Sequence, residues 1–281
     1  MTAHAAVSRR VPLRLAALAC VVILGIPTAL WWTNRSDGRL HLIVPALAGD
    51  GALLRTAAGQ IALIDGGADG AAVANWLGRE LPLGRHQIDL LVQTRVDRTT
   101  LPGQLAAARR YHVRTAVLVR PGKKDASWDE LVRLLREQGT SVHVAQAGER
   151  FSMEGGTAKD PAIFEILALA GDHALLGLTY RSARLLFLQS IRSEPIPSTV
   201  GEEHVSAIIW PWHRSTHDPM FQRLAPQAVI FGEQPGRDPQ QTLSERQVGA
   251  ARLFHEALDG RIELAFDPAG IRVSVERQGV K

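Results

Sequence analysis

Apolar positions along the chain fall into two regimes. The first is one unbroken run, residues 15–32, LAALACVVILGIPTALWW, eighteen positions without a charge. A membrane-spanning helix needs about 20 apolar residues, and about 17 is the lower end of the range. Gly25 and Pro27 are tolerated in such a span. Trp31 and Trp32 suit the aromatic belt at the membrane surface, and Arg9, Arg10 and Arg14 precede the run. Positive residues stay on the cytoplasmic side, so residues 1–14 are expected inside and the bulk of the chain outside. A cleaved signal peptide is the alternative, but the run exceeds a usual signal core and no small-x-small site follows it directly. Pro45-Ala46-Leu47-Ala48 has suitable residues too far downstream, and Ala17-Leu18-Ala19-Cys20 is a poor lipobox because apolar sequence continues past the cysteine. The predicted layout is a basic tail at 1–14, an anchor at 15–32, a linker at 33–38 (TNRSDG) and one domain over 39–281.

The second regime is a series of short apolar stretches separated by Gly-containing turns. Strands are expected at 40–44, 52–56, 60–64 and 88–92, and then at 115–119 and 141–144. Between them, Asp69 is placed to cap a helix whose inward face is Ala72, Val73, Trp76, Leu77 and Leu81. A second helix starts near Pro102, and Ser127-x-x-Glu130 reads as a capping box for a third that stops at Gly139. Alternating strands and helices predict a layered α/β core for this half. In the second half, strands are expected at 163–169, 174–180 and 183–189, with turns at Gly171-Asp172 and Arg181-Ser182. Further strands follow at 205–210, 227–231, 262–265 and 271–275. Thr242-x-x-Glu245 reads as another capping box, opening a helix with Leu243, Ala250, Ala251, Phe254 and Leu258 inward and Gly260 at its end. No fixed-period repeat or low-complexity segment interrupts the series.

Charge narrows the function less than it first promises. The chain carries a net +4, but residues 1–38 hold four arginines against Asp37, leaving only about +1 for the domain. Bulk charge therefore gives no support for nucleic-acid binding. Cys20 is the single cysteine, which rules out an intrachain disulfide and a cysteine-based zinc site. No Gly-rich phosphate motif is present, since Gly66-Gly67 fits neither the P-loop nor the dinucleotide pattern.

The stretch 88–105, IDLLVQTRVDRTTLPGQL, is a strand running through a polar turn into a helix. From Leu40 to Val275 the order of segments resembles the metallo-β-lactamase-like domain at the C-terminus of ComEC competence (DNA uptake) proteins. The resemblance rests on Gly49-Asp50-Gly51-Ala52, Leu53-Leu54-Arg55-Thr56, Leu63-Ile64-Asp65-Gly66-Gly67 and the block Asp89 to Gly103. It implies a four-layer αββα sandwich, preceded here by one N-terminal transmembrane helix. The family's His-x-Asp-x-Asp-His motif stands here as Arg95-Val96-Asp97-Arg98-Thr99-Thr100. Its metal-bridging carboxylate corresponds to Ser190, after Leu186-Phe187-Leu188-Gln189, and its histidine pair to Trp212-His213. Asp97 and His213 keep ligand-type residues, while Arg95, Thr99, Thr100, Ser190 and Trp212 do not.

A catalytic zinc needs about three protein ligands and an open position. Arginine does not deprotonate in proteins, so Arg95 would set a fixed positive charge at such a cavity and Arg95 or Arg98 would pair with Asp97. The expectation is therefore a membrane-anchored, extracytoplasmic pseudoenzyme, a binding or scaffolding module without a metal or small-molecule cofactor. DNA or a competence-channel protein is the candidate partner. The alternative is a zinc- or manganese-dependent phosphodiesterase or nuclease using Asp97, His213 and either His217 or Asp218. A third reading is a surface for other envelope proteins.

Other constellations are weaker. His213 and His217 lie four apart, but the intervening Arg-Ser-Thr is poor helix material. Glu202-Glu203-His204 and Lys123-Lys124-Asp125 read as exposed loops, and Ser215 has no nucleophile elbow around it. Arg95, Arg98, Arg109, Arg110 and Arg114 form a local basic cluster able to meet phosphates, with ordinary surface charge as the simpler account.

Overall fold

The computed structural model describes residues 37–154, 160–190, 196, 200, 204–232, 243, 246–267 and 270–277. The expected anchor at 15–32 lies outside them. Among the described residues no helix is long and apolar enough to cross a membrane.

Two sheets face each other. The first has eight strands, built from β1 (Leu40–Val44), β2 (Gly51–Arg55), β3 (Ile61–Asp65), β4 (Gln87–Val92), β5 (His112–Leu118), β6 (Ser141–Val144), β14 (Ile262–Asp267) and β15 (Gly270–Val275). Its order is β15-β14-β1-β2-β3-β4-β5-β6. The second has seven strands, β7 (Arg150–Met153), β8 (Ala162–Ala170), β9 (His173–Tyr180), β10 (Ala183–Phe187), β11 (Ala207–Trp210), β12 (Ala228–Phe231) and β13 (Arg252–His255). They lie in the order β13-β12-β11-β10-β9-β8-β7. Both sheets combine antiparallel hairpins with a parallel section, β3 to β6 in one and β10 to β13 in the other.

Alternation along the strands sorts the apolar residues into three layers. Leu40, Leu42 and Val44 of β1 join Ala62, Ile64, Phe164, Leu178, Phe187 and Ile230 between the sheets. Ile43, Leu53, Ile61 and Leu63 point the other way, against helices α1 (Gly70–Glu80), α2 (Leu101–Arg110) and α3 (Ala126–Glu137). On the far face of the second sheet, Ile208, Trp210, Val229 and Phe231 are covered by Met220, Phe221 and Leu224 of the short α4 (Met220–Leu224). Sheets with both faces covered bury near-continuous apolar strands, and β1, β3, β11 and β12 are buried along their whole length.

The predicted strands occur within one to three residues of their expected bounds, with β5 starting three residues early, and β1 and β6 match to the residue. Three expectations need correction. The helix expected from Thr242 does not continue to Leu258. Thr242 and Glu245 lie outside the described residues, and Arg252–His255 is strand β13, parallel to β12. Phe254 and His255 thus sit in a ladder, and only the four-residue α5 (Glu256–Asp259) precedes Gly260. The box at Ser127 is also displaced: Asp125 caps α3, accepting from Ser127 N at 2.9 Å and Trp128 N at 3.0 Å. A carboxylate two residues earlier captures the orphan donors, which frees Glu130 to pair with Arg109. Strand β7 was not anticipated, because its half-exposed Arg-Phe-Ser-Met pattern lacks a continuous apolar run. Asp69 caps α1 as expected, accepting from Ala71 N and Ala72 N.

Candidate functional site

The parallel strands of each sheet end on one edge, and the loops beyond those ends meet there. Three segments of the first sheet converge: the 45–50 loop, the Asp65-Gly66-Gly67 turn after β3, and the 93–101 turn between β4 and α2. They are fastened by backbone. Asp50 N donates to Thr99 O, Gly67 N to Asp50 O and Gly103 N to Gly67 O, at 3.2, 2.7 and 3.2 Å. The approach is so close that a Cβ on Gly103 would fall 1.6 Å from Gly66 O, and one on Gly66 would fall 2.3 Å from Gln104 N. Only glycine fits either place. The second sheet joins through Ala174 N donating to Thr94 O at 2.7 Å and a single bridge between Arg95 and His173.

Four charged side chains occupy this junction. Arg95 is 4% exposed, and its guanidinium lies between two carboxylates. Its Nη2 is 3.0 Å from Asp50 Oδ2, and its Nε is 2.7 Å from Asp97 Oδ2. The second contact has the distance of an ion pair without the alignment of a hydrogen bond. Arg95 Nη2 also donates to Thr99 Oγ1, which in turn donates to Asp97 Oδ1 at 2.6 Å. Thr99 N holds the same carboxylate oxygen at 2.7 Å. Thr100 is buried and ties its Oγ1 to Arg95 O at 2.7 Å, so it shapes the turn. The sequence reading that Arg95 pairs with Asp97 describes this geometry, and Arg98 is exposed instead.

Asp65 lies deeper, fully buried, with a positive φ of 54°. Its carboxylate accepts from Thr94 N at 2.8 Å, Thr94 Oγ1 at 2.5 Å and Gln189 Nε2 at 3.3 Å. Burial pushes its pKa up to about 7. The Thr94 bonds oppose that rise, as does Arg95, while the Asp50 charge adds to it. Asp50, Asp65 and Gln189 were not singled out as site residues from sequence. Asp50 and Asp65 carry a signal in the Gly-Asp-Gly and Asp-Gly-Gly turns, whereas Gln189 follows the apolar Leu186-Phe187-Leu188 with no such mark.

The expected residues of the second half do not join this cluster. Ser190 is buried and donates to Ala174 O at 2.7 Å, a link between strands. Trp212 is also buried, in edge contact with His255 at 4.3 Å and Phe231 at 5.4 Å between ring centroids. The Arg246 guanidinium sits 4.5 Å over the Trp212 ring. His255 is 1% exposed and accepts from Ala257 N through Nδ1. Burial, with help from the Arg246 charge, pushes its pKa down to about 4. Neither His255 nor Arg246 stands out in the sequence, because the region reads as an amphipathic helix.

His213 and His217 are exposed, and the segment between them is not helical. His217 Nδ1 contacts Ser215 Oγ at 2.9 Å, and Asp218 caps Met220 N while lying 3.5 Å from Arg214. Among the described residues no three His, Cys, Asp or Glu side chains gather in a metal-holding arrangement, so Asp97, His213 and His217 do not form one. A divalent ion does not fit beside Asp50 and Asp97 either, because the Arg95 guanidinium already lies between those carboxylates. Glu202 and Glu203 lie outside the described residues, and His204 is exposed. The basic cluster divides: Arg95 is buried, Arg110 donates to Ala74 O, and Arg98 and Arg109 share the wall of one cavity.

No protein-family model matches the sequence, and a comparison with curated proteins gives no match. Solved structures do match. One is a metallo-β-lactamase fold protein from Bacillus subtilis, YhfI, 12% identical with a TM-score of 0.54, covering 76% of this chain and 96% of that one. Another is a putative metal-dependent hydrolase from Parabacteroides distasonis, 10% identical with a TM-score of 0.51, covering 77% and 93%. The chain has the metallo-β-lactamase fold.

Proposed function

We propose that this chain is a metal-free binding or scaffolding domain on a hydrolase-type fold, in which Arg95 supplies the positive charge that an ion would supply. The observation that carries the reading is the buried Arg95 guanidinium between Asp50 and Asp97. A buried arginine paired on two sides offsets the repulsion between the two carboxylates and cannot be displaced by deprotonation. The apolar run at 15–32 supports a single-pass anchor with the domain outside the membrane. The segment order supports a role beside DNA-uptake machinery, with DNA or a channel protein as partner.

Metal content per chain tests this reading. The full chain, purified in a mild non-ionic detergent, is incubated with zinc and manganese, desalted and measured by elemental mass spectrometry. The expected result is below about a tenth of an equivalent, since two carboxylates shared with a guanidinium fall short of the three ligands a catalytic ion needs. A stoichiometric ion would overturn it. That outcome would favour the second reading, a metal-dependent phosphodiesterase or nuclease, for which the likeness to the Parabacteroides hydrolase is the supporting observation.

A further inference from the structure

A cavity of about 1020 Å³ lies beside the Arg95 cluster, on the helical face of the first sheet. Small-molecule pockets commonly enclose about 300–1,000 Å³. Its floor is apolar, from Ala74 of α1 with Leu101 and Leu105 of α2, and its rim carries Arg98, Arg109 and Lys123.

The cations at the rim are unequal. Arg109 is paired with Glu130 at 2.6 Å. Arg98 and Lys123 are exposed and, among the described residues, have no ion-pair partner. The two carboxylates on the wall are already engaged, Asp97 with Arg95 and Asp125 with the first turn of α3. Helix ends contribute little, because Asp69 caps α1 and Asp97 O accepts from Leu101 N. What remains is two cations without a direct ion-pair partner among the described residues, above an apolar floor. A neutral apolar ligand would leave the charges unanswered, and a bare inorganic anion would leave the floor wet.

We propose that this cavity binds an amphiphilic anion, an organic phosphate or carboxylate carried on a compact apolar body. The proposal does not depend on what the Arg95 cluster does. The test is calorimetric titration of the full chain in non-ionic detergent with 1-naphthyl phosphate at low salt. Saturable binding of one molecule per chain is expected, weakened at least about tenfold by the double substitution Arg98→Glu, Lys123→Glu. Ala74→Trp, which fills the floor and leaves the charges in place, should weaken it similarly, with an unchanged melting temperature showing that the variant folds. Absence of saturable binding, or affinity unchanged in both variants, would overturn the proposal. Displacement of the bound probe by monomeric short-chain phosphatidylglycerol assigns the natural source to a lipid headgroup, and failure to displace assigns it to a soluble anion.

Discussion

The two rims that meet at the edge of the sandwich bury polar groups by opposite means. Around Arg95 the first sheet buries charge against charge, and hydroxyls of Thr94 and Thr99 fill the remaining acceptor positions. Around Trp212 the second sheet buries a guanidinium against ring faces and keeps a histidine neutral beneath it. The first rim is also fastened by glycine-to-backbone contacts, while a Cβ placed on Gly249 of the second rim would meet no atom within 4 Å. Position on a common fold therefore does not dictate how a rim solves the cost of burying polar atoms. The local residue types do.

The largest expected effect follows from the fastening. Gly103→Ala drives a methyl into Gly66 O and should cost about 4 kcal/mol or more, or prevent folding. Gly249→Ala meets only the strain of a positive φ of 48°, about 1 kcal/mol. Urea unfolding of both variants reads the contrast, and equal costs would show the rims to be equally rigid.

Charge removal should separate the rims next. Arg95→Met leaves Asp50 and Asp97 facing each other beside Asp65, at a cost of about 3–5 kcal/mol. Arg246→Met removes stacking on Trp212, worth about 2 kcal/mol where desolvated. Chemical denaturation at neutral pH measures both. A smaller loss for Arg95 than for Arg246 would mean that the carboxylates of the first rim are relieved by water and not by the guanidinium.

The subtlest contrast is in pH. Asp65 has its folded pKa raised from 3.8 to about 7, so its contribution to stability is full below about pH 4 and is lost as pH rises towards 7. His255 has its folded pKa lowered from 6.5 to about 4, so its contribution is full above about pH 6.5 and is lost as pH falls towards 4. The two slopes oppose each other over the same window. Asp65→Asn, which keeps an acceptor for Thr94 and tolerates the positive φ, should make stability rise from pH 4 to 7. His255→Phe should make it fall. Melting temperatures across that range decide it, and identical slopes in both variants would break the comparison.

Much of this architecture was legible in the chain. Apolar runs of four to nine residues between Gly-containing turns placed nearly all the strands, because burying such runs on a sheet is the dominant local signal. The Asp-Gly-Gly turn and the 95–100 turn were recognisable as segments of one fold. The strand at Arg252–His255 was not, since four residues with polar ends read equally well as part of an amphipathic helix, and only pairing with β12 settles the choice. Within the candidate site, Arg95 and Asp97 are two residues apart and their pairing could be foreseen. Asp50 is 45 positions from Arg95, and Gln189 is 124 from Asp65. Sequence alone determined which residues would be apolar, where the chain would turn, and that an arginine would stand in the polar turn after β4. Tertiary structure decided which distant carboxylates would share that arginine, and that Trp212 and His255 would meet edge to face. Those choices depend on how two sheets close over a common edge, and the separation of partners along the chain carries no record of that closure.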